Sequence, residues 1–73
     1  MTRKQALEWL IEENVVGYRK AKRNRDILKA RFFSRDTIEE IAEQFEMSPR
    51  QISRIISKYG YPLLIKLSKM STE

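Results

Sequence analysis

Side chains that suit contact with bases and phosphates are concentrated between residues 48 and 58. Arginine offers forked donors that match two acceptors on a guanine edge or a phosphate, and glutamine matches an adenine edge. Serine is small enough to let a helix lie close to a duplex. The residues that we expect to contact bases are Arg50, Gln51, Ser53 and Arg54.

Catalysis and metal binding are not expected from the composition. The 73 residues include no histidine and no cysteine, which removes the commonest metal ligand and the usual acid–base catalyst. Glu39 and Glu43 are paired carboxylates, but no histidine or aspartate converges with them. We therefore expect no enzyme activity, no catalytic residue, no cofactor, no metal and no small-molecule substrate.

The base-contacting candidates require a helix that exposes one face. Ser48 is a candidate N-cap, Pro49 suits the first helical position, and Gln51 completes a capping box. At roughly 100° per residue, the polar residues fall opposite an apolar face. The apolar residues that form this face are Ile52, Ile55, Ile56 and Tyr59. Gly60 predicts the end of this helix, with a turn at Tyr61–Pro62 and a short last helix at about 62–70.

The N-terminal half also predicts helices. Thr2 with Gln5 predicts a first helix over about 3–16 that stops at Gly17. A second helix runs to about Phe33, and residues 18–24 are either its beginning or an extended arm, with Asn24 as a candidate N-cap. A third helix begins after a cap at Asp36 or Thr37 and buries one face, formed by Ile38, Ile41, Ala42 and Phe45.

Two amphipathic helices joined by about three residues form a helix-turn-helix unit. Residues 38–57 resemble the helix-turn-helix of bacterial transcription factors. With the lead-in from Asp26, the segment is most similar to the region-four DNA-binding domain of bacterial sigma factors, over roughly residues 24–60. One departure is Glu46, which occupies the turn position where that family usually has glycine. A left-handed conformation there would cost roughly 1 kcal/mol.

The resemblance implies a fold and a function. The fold is a small all-α domain of four to five helices spanning residues 1–73, with the motif core at 37–59. The function is sequence-specific binding of double-stranded DNA, with a recognition helix over about 48–59 in the major groove. The implied role is that of a small bacterial or bacteriophage transcription regulator. The residues that we expect to contact phosphates are Arg35, Thr37, Ser48, Ser57 and Lys58.

The net charge of +5 is segregated along the chain. Residues 19–35 carry a net +7, residues 36–46 a net −5 and residues 47–73 a net +4. The basic block at 19–35 is either a phosphate-binding patch or a solvated helix surface. The glutamates of the third helix should face away from nucleic acid, and some of them are candidates for ion pairs with the basic block.

One unit of this size covers few base pairs, so we expect a homodimer, or a partner that supplies the second contact. The candidate oligomer or partner surface comprises Trp9, Leu10, Ile11, Tyr61, Leu63, Leu64, Ile65 and Leu67. Binding to RNA polymerase or another protein is the alternative function, and a role in phage DNA packaging or replication is a further one. The chain has no apolar run long enough to cross a bilayer and no signal-peptide core, so we expect a cytoplasmic protein in a bacterial or phage-infected cell.

Overall fold

The computed structural model describes residues 2–70, and these residues form helices joined by short connections. No strand occurs in this part of the chain, which confirms the expected small all-α fold. The helices are α1 (Arg3–Asn14), α2 (Ala21–Phe32), α3 (Ile38–Phe45), α4 (Pro49–Ile55) and α5 (Tyr61–Met70), and a π-helical turn (Ile56–Gly60) joins α4 to α5.

Capping boxes begin three of the helices. In each box the N-cap hydroxyl accepts a hydrogen bond from the backbone N–H three residues later, and that residue's side chain accepts one from the N-cap N–H. Two otherwise unpaired backbone donors are satisfied in this way at each start. The paired residues are Thr2 with Gln5, Thr37 with Glu40, and Ser48 with Gln51.

The connection between α1 and α2 differs from the sequence prediction. α1 ends at Asn14, and Gly17 adopts a left-handed φ of 84° in the following turn. α2 begins at Ala21, so residues 18–20 form a turn and not an extended arm. Asn24 is not the N-cap of α2, because the helix begins at Ala21 with Lys20 in the N-cap position. Its side chain is instead buried and hydrogen-bonded to other side chains.

A three-residue connection joins α3 to α4. Glu46 is left-handed, with φ 54° and ψ 46°, and its N–H bonds to the carbonyls of Ala42 and Glu43. The N–H of Met47 also bonds to the Ala42 carbonyl, at 2.9 Å. The chain therefore passes from α3 to α4 within three residues, and the strain of a non-glycine residue in this conformation is about 1 kcal/mol.

The predicted break at Gly60 is wrong, because the helix continues from α4 through the π turn into α5. The N–H of Tyr61 bonds to the carbonyl of Ile56, five residues back. Pro62 has no N–H and its ring crowds the preceding turn, so a wider turn before it keeps the helix continuous. Gly60 is instead buried against α2, where a Cβ atom would lie 2.9 Å from Cζ of Phe32.

One apolar core joins all the helices. α1 and α2 lie side by side in opposite directions, and the continuous helix packs α4 against α3 and α5 against α1. The largest fully buried side chains are Ile11, Val15, Ile27, Leu28, Ile41 and Ile52. Within residues 2–70, no helix combines the length and apolar character needed to cross a bilayer.

Candidate nucleic-acid interface

The outer face of α4 consists of Arg50, Gln51, Ser53 and Arg54, and all four are exposed. Ser57 and Lys58 continue this exposed side into the π turn. Ile52 and Ile55 on the other side of α4 are buried in the core. The two faces of the helix therefore lie as the periodicity predicts, with no acidic residue on the outer one.

Gln51 has a structural role that limits its contact with a base. Its Oε1 accepts a hydrogen bond from the Ser48 N–H at 3.0 Å and lies 3.3 Å from Ser48 Oγ. Pairing with an adenine edge uses both the oxygen and the amide nitrogen of glutamine. In this conformation only the Gln51 NH2 group remains for DNA. Ser48 Oγ likewise accepts from the Gln51 N–H, at 3.2 Å.

A groove beside α4 brings the two basic parts of the chain together. We call it the basic groove, and its volume is about 440 Å³. One wall is the turn before α2 with the first turn of α2, and the other is the end of α4 with the π turn. The lining residues are Tyr18, Arg19, Lys20, Arg23, Asn24, Arg54, Ile55, Lys58 and Tyr59. Arg54 belongs to both the outer face of α4 and this groove.

A chain of side-chain contacts fixes the first wall of the groove. Asn24 is 3% exposed, its Nδ2 donates to Tyr18 Oη at 3.1 Å, and its Oδ1 accepts from Nε and Nη2 of Arg23. The rings of Tyr18 and Tyr59 stack across the groove. Partial burial of the phenol raises the pKa of Tyr18. These contacts hold the turn before α2 against the π turn.

Six of the eight cations of the basic block fall into two groups, one paired with carboxylates and one lining the basic groove. Arg31, which donates to the Asp36 carbonyl, and Arg35 lie outside both groups. Lys22 pairs with Asp26, while Arg25 and Lys29 pair with Glu12 of α1. The hydrogen bond and charge of Lys29 lower the pKa of Glu12. No carboxylate lines the basic groove. The expectation of either a phosphate patch or a solvated surface thus resolves into three cations neutralised by acids and a separate group that lines the groove.

Two predicted phosphate contacts, Arg35 and Thr37, lie away from the basic groove. Arg35 lines a different groove, which is bordered by Arg3 and Lys4 of α1. The Thr37 hydroxyl accepts from the Glu40 N–H in the α3 capping box. Hydrogen bonding to the Thr37 backbone lowers the pKa of Glu40, and this bond fixes the glutamate at the helix start.

The acidic side of α3 is exposed to solvent. Glu39, Glu40, Glu43 and Glu46 are all exposed. Within residues 2–70 none of them forms an ion pair with the basic block, so the pairing suggested from sequence is not present. The acidic surface is therefore available to a partner or to solvent.

The candidate partner surface is smaller than the sequence suggests. Leu10, Ile11, Leu63 and Leu67 are buried in the protein's own core, because α1 and α5 pack against each other. Leu64 is half-buried. Trp9, Tyr61 and Ile65 are 50%, 55% and 58% exposed and remain candidates for contact with a partner.

Sequence reasoning did not single out Tyr18, Arg19, Lys20 and Arg23 as site residues. They lie 26 to 31 positions before the start of α4 in the chain, and only the fold places them beside it. The one sequence signal was the density of bases before α2. Within residues 2–70, no group of three or more carboxylates is placed to hold a metal ion.

Neither family models, nor curated proteins, nor solved structures gave a match to this chain. The resemblance to sigma region four therefore rests on the residues of the motif alone. The outer face of α4 and the basic groove are the two surfaces whose residue types indicate a function.

Proposed function

We propose that this protein binds double-stranded DNA by placing the N-terminal part of α4 in the major groove. The observation that carries the proposal is the outer face of α4, which exposes Arg50, Ser53 and Arg54 and adjoins a groove lined by basic residues. An α-helix fits the major groove, and arginine makes the commonest specific contact, to guanine.

The surroundings of α4 support this orientation. α3 packs against α4 through a tight turn at Glu46, as a helix that braces a recognition helix would. α3 carries its glutamates exposed, whereas the outer face of α4 has no acidic residue. In DNA-bound form, the basic side would approach the duplex while the acidic side faces away from the phosphates.

The biological role that we infer is transcription regulation in a bacterial or phage-infected cell, with the protein acting as a homodimer. Paired units normally read sites of useful specificity, because one helix contacts only a few base pairs. Trp9, Tyr61 and Ile65 are the exposed apolar residues from which a dimer contact would draw. Size measurement in solution, with and without the selected duplex, tests the dimer.

Selection from a random-sequence duplex library, followed by binding measurements, tests the proposal. We expect an enriched site, and we expect Arg50→Ala and Arg54→Ala each to weaken binding to it by about 1–3 kcal/mol. Lys22→Ala is the matched control, because it removes the same charge from an exposed position that lines neither groove. Failure to enrich any site would reject DNA recognition, as would equal losses for Lys22→Ala and Arg54→Ala.

A second candidate function is binding to a protein with a basic surface, such as RNA polymerase. The observation that favours it is the exposed acidic side of α3, which has no ion pair in the described part of the chain. Charge reversal of Glu39 and Glu43 to lysine should then weaken capture of polymerase subunits while leaving selected DNA bound. Unchanged capture would reject this candidate.

A further inference from the structure

The basic groove concentrates positive charge with no compensating carboxylate. Arg19, Lys20 and Arg23 lie on one wall, and Arg54 and Lys58 lie on the other. Like charges that share a concave surface repel one another and create a field that attracts anions. An anionic ligand in the groove would therefore relieve repulsion that exists in the free protein.

Arg23 is already oriented to meet such an anion. Its Nε and Nη2 donate to Asn24 Oδ1 at 3.2 and 3.1 Å, and Asn24 is itself buried and bonded to Tyr18. Nη1 makes none of these bonds. Because the guanidinium is held in one orientation, it loses less conformational entropy on binding than a free arginine would.

Arg19 and Lys20 complete this wall. Within residues 2–70 they form no hydrogen bond or ion pair through their side chains, and both are exposed. The stacking of Tyr18 on Tyr59 fixes the turn that carries them. The position of this wall relative to α4 is therefore set by the fold.

We propose that the basic groove binds the phosphodiester backbone of the DNA strand that borders the major groove occupied by α4. This inference rests on the proposed function and adds a second, sequence-independent contact to it. Arg54 is shared by the two surfaces and defines where the backbone leaves the major groove. Contacts of this kind set the register of a protein on the duplex without reading its sequence.

The salt dependence of binding tests the groove. The affinity of each variant for the selected duplex and for a scrambled duplex is measured over a range of NaCl concentrations. Arg23→Ala should weaken binding to both duplexes by a similar factor and reduce the slope of log K against log salt by about 1. Lys22→Ala removes the same charge from the neighbouring position, whose ammonium pairs with Asp26 outside the groove, and should leave the slope unchanged.

A second pair of variants leaves the hydrogen bonds of Asn24 intact. Arg19→Ala/Lys20→Ala should reduce the slope by about 2 while the circular dichroism spectrum stays that of the wild type. Lys22→Ala/Lys66→Ala removes the same charge from exposed positions outside both grooves and should keep the wild-type slope. If Arg23→Ala fails to fold, this pair decides the question.

Equal slopes for the groove variants and their controls would overturn the groove proposal. In that case the selected duplex would still be bound and Arg50 would still be required, so the proposed function would stand. A wild-type protein that binds no duplex would overturn both. The wild-type protein could instead bind inorganic phosphate tightly while the groove variants keep the wild-type slope on DNA. That result would assign the groove to a free anion instead of the DNA backbone.

Discussion

The rings of Tyr18 and Tyr59 stack with their centroids 5.8 Å apart and their planes inclined by 19°. This contact joins the turn before α2 to the π turn that follows α4. Both tyrosines line the basic groove, so their contact ties one of its walls to the other. Because the wall cannot move independently of α4, its cations stay at a constant distance from the outer face of that helix.

A double-mutant cycle on this pair measures the contact. Tyr18→Leu and Tyr59→Leu should each lower the free energy of unfolding, and their effects should be coupled by about 0.5–1.5 kcal/mol because aromatic pairs contribute about that much beyond area burial. Chemical denaturation of the four proteins gives the coupling. Strict additivity would show that the rings do not stabilise each other. Tyr18→Phe, which keeps the ring but removes the acceptor for Asn24, separates stacking from hydrogen bonding.

Gly60→Ala tests the close approach of the π turn to α2. Alanine favours a helix over glycine by about 0.5–1 kcal/mol, but the added Cβ would meet Phe32 Cζ at 2.9 Å and Leu28 Cδ2 at 3.1 Å. Overpacking of this kind typically costs about 1–3 kcal/mol, so we expect a net loss of stability in thermal unfolding. Adding Phe32→Leu to Gly60→Ala should recover part of the lost stability. A gain in stability for Gly60→Ala alone would show that helix propensity outweighs the close contact.

The sequence predicts those features that depend on neighbouring residues. A capping box spans four positions, so Thr2 and Ser48 were recognisable as helix starts from local pattern alone. For α3 the pattern left Asp36 and Thr37 as alternatives, and the N-cap is Thr37. The two faces of α4 follow from helical periodicity in the same way. The predicted helix end at Gly60 was wrong because glycine occurs both at helix ends and at close contacts between helices. Only the position of Phe32 on another helix distinguishes the two.

The features that the sequence did not reveal are long-range. Tyr18 and Tyr59 are 41 positions apart, and nothing near either residue indicates its partner. The same holds for Glu12, whose pairing with Lys29 fixes which bases of the basic block are neutralised. The composition of the basic block was visible, but its division between ion pairs and the groove depends on how α1 and α2 pack.

Glu46 allows the cost of the left-handed turn to be measured. Glycine adopts this conformation without a Cβ clash, so Glu46→Gly should be more stable than Glu46→Ala by about 1 kcal/mol. Comparison of the two variants cancels the loss of the carboxylate, which both share. Urea denaturation gives the difference, and equal stability would show that residue 46 is not strained in solution.

Glu12 should make the stability of the fold depend on pH in the acidic range. Its pKa is lowered in the folded protein, chiefly by the hydrogen bond from Lys29, so its contribution is present above the pKa of the unfolded chain. That contribution is lost as the pH falls through the lower folded pKa. Glu12→Gln should therefore flatten the decline of melting temperature below about pH 5, and high salt should do the same.

Glu13→Gln is the control for Glu12, since Glu13 is exposed and forms no ion pair within residues 2–70. Its melting temperature should follow the wild-type profile in acid. An identical flattening in both variants would mean that general charge repulsion, and not the pair with Lys29, governs the acid response.

Gln51→Glu separates the structural role of this residue from its place on the outer face of α4. A glutamate also completes a capping box, and its charge is favourable at a helix start, so the melting temperature should stay the same or rise. The same charge would oppose the phosphates of a duplex, and affinity for the selected site should fall roughly tenfold or more. Gln5→Glu makes the identical change in the capping box of α1 and should leave DNA affinity near the wild-type value. A similar loss in both variants would mean that net charge alone controls binding, whereas no loss in either would place the duplex away from the start of α4.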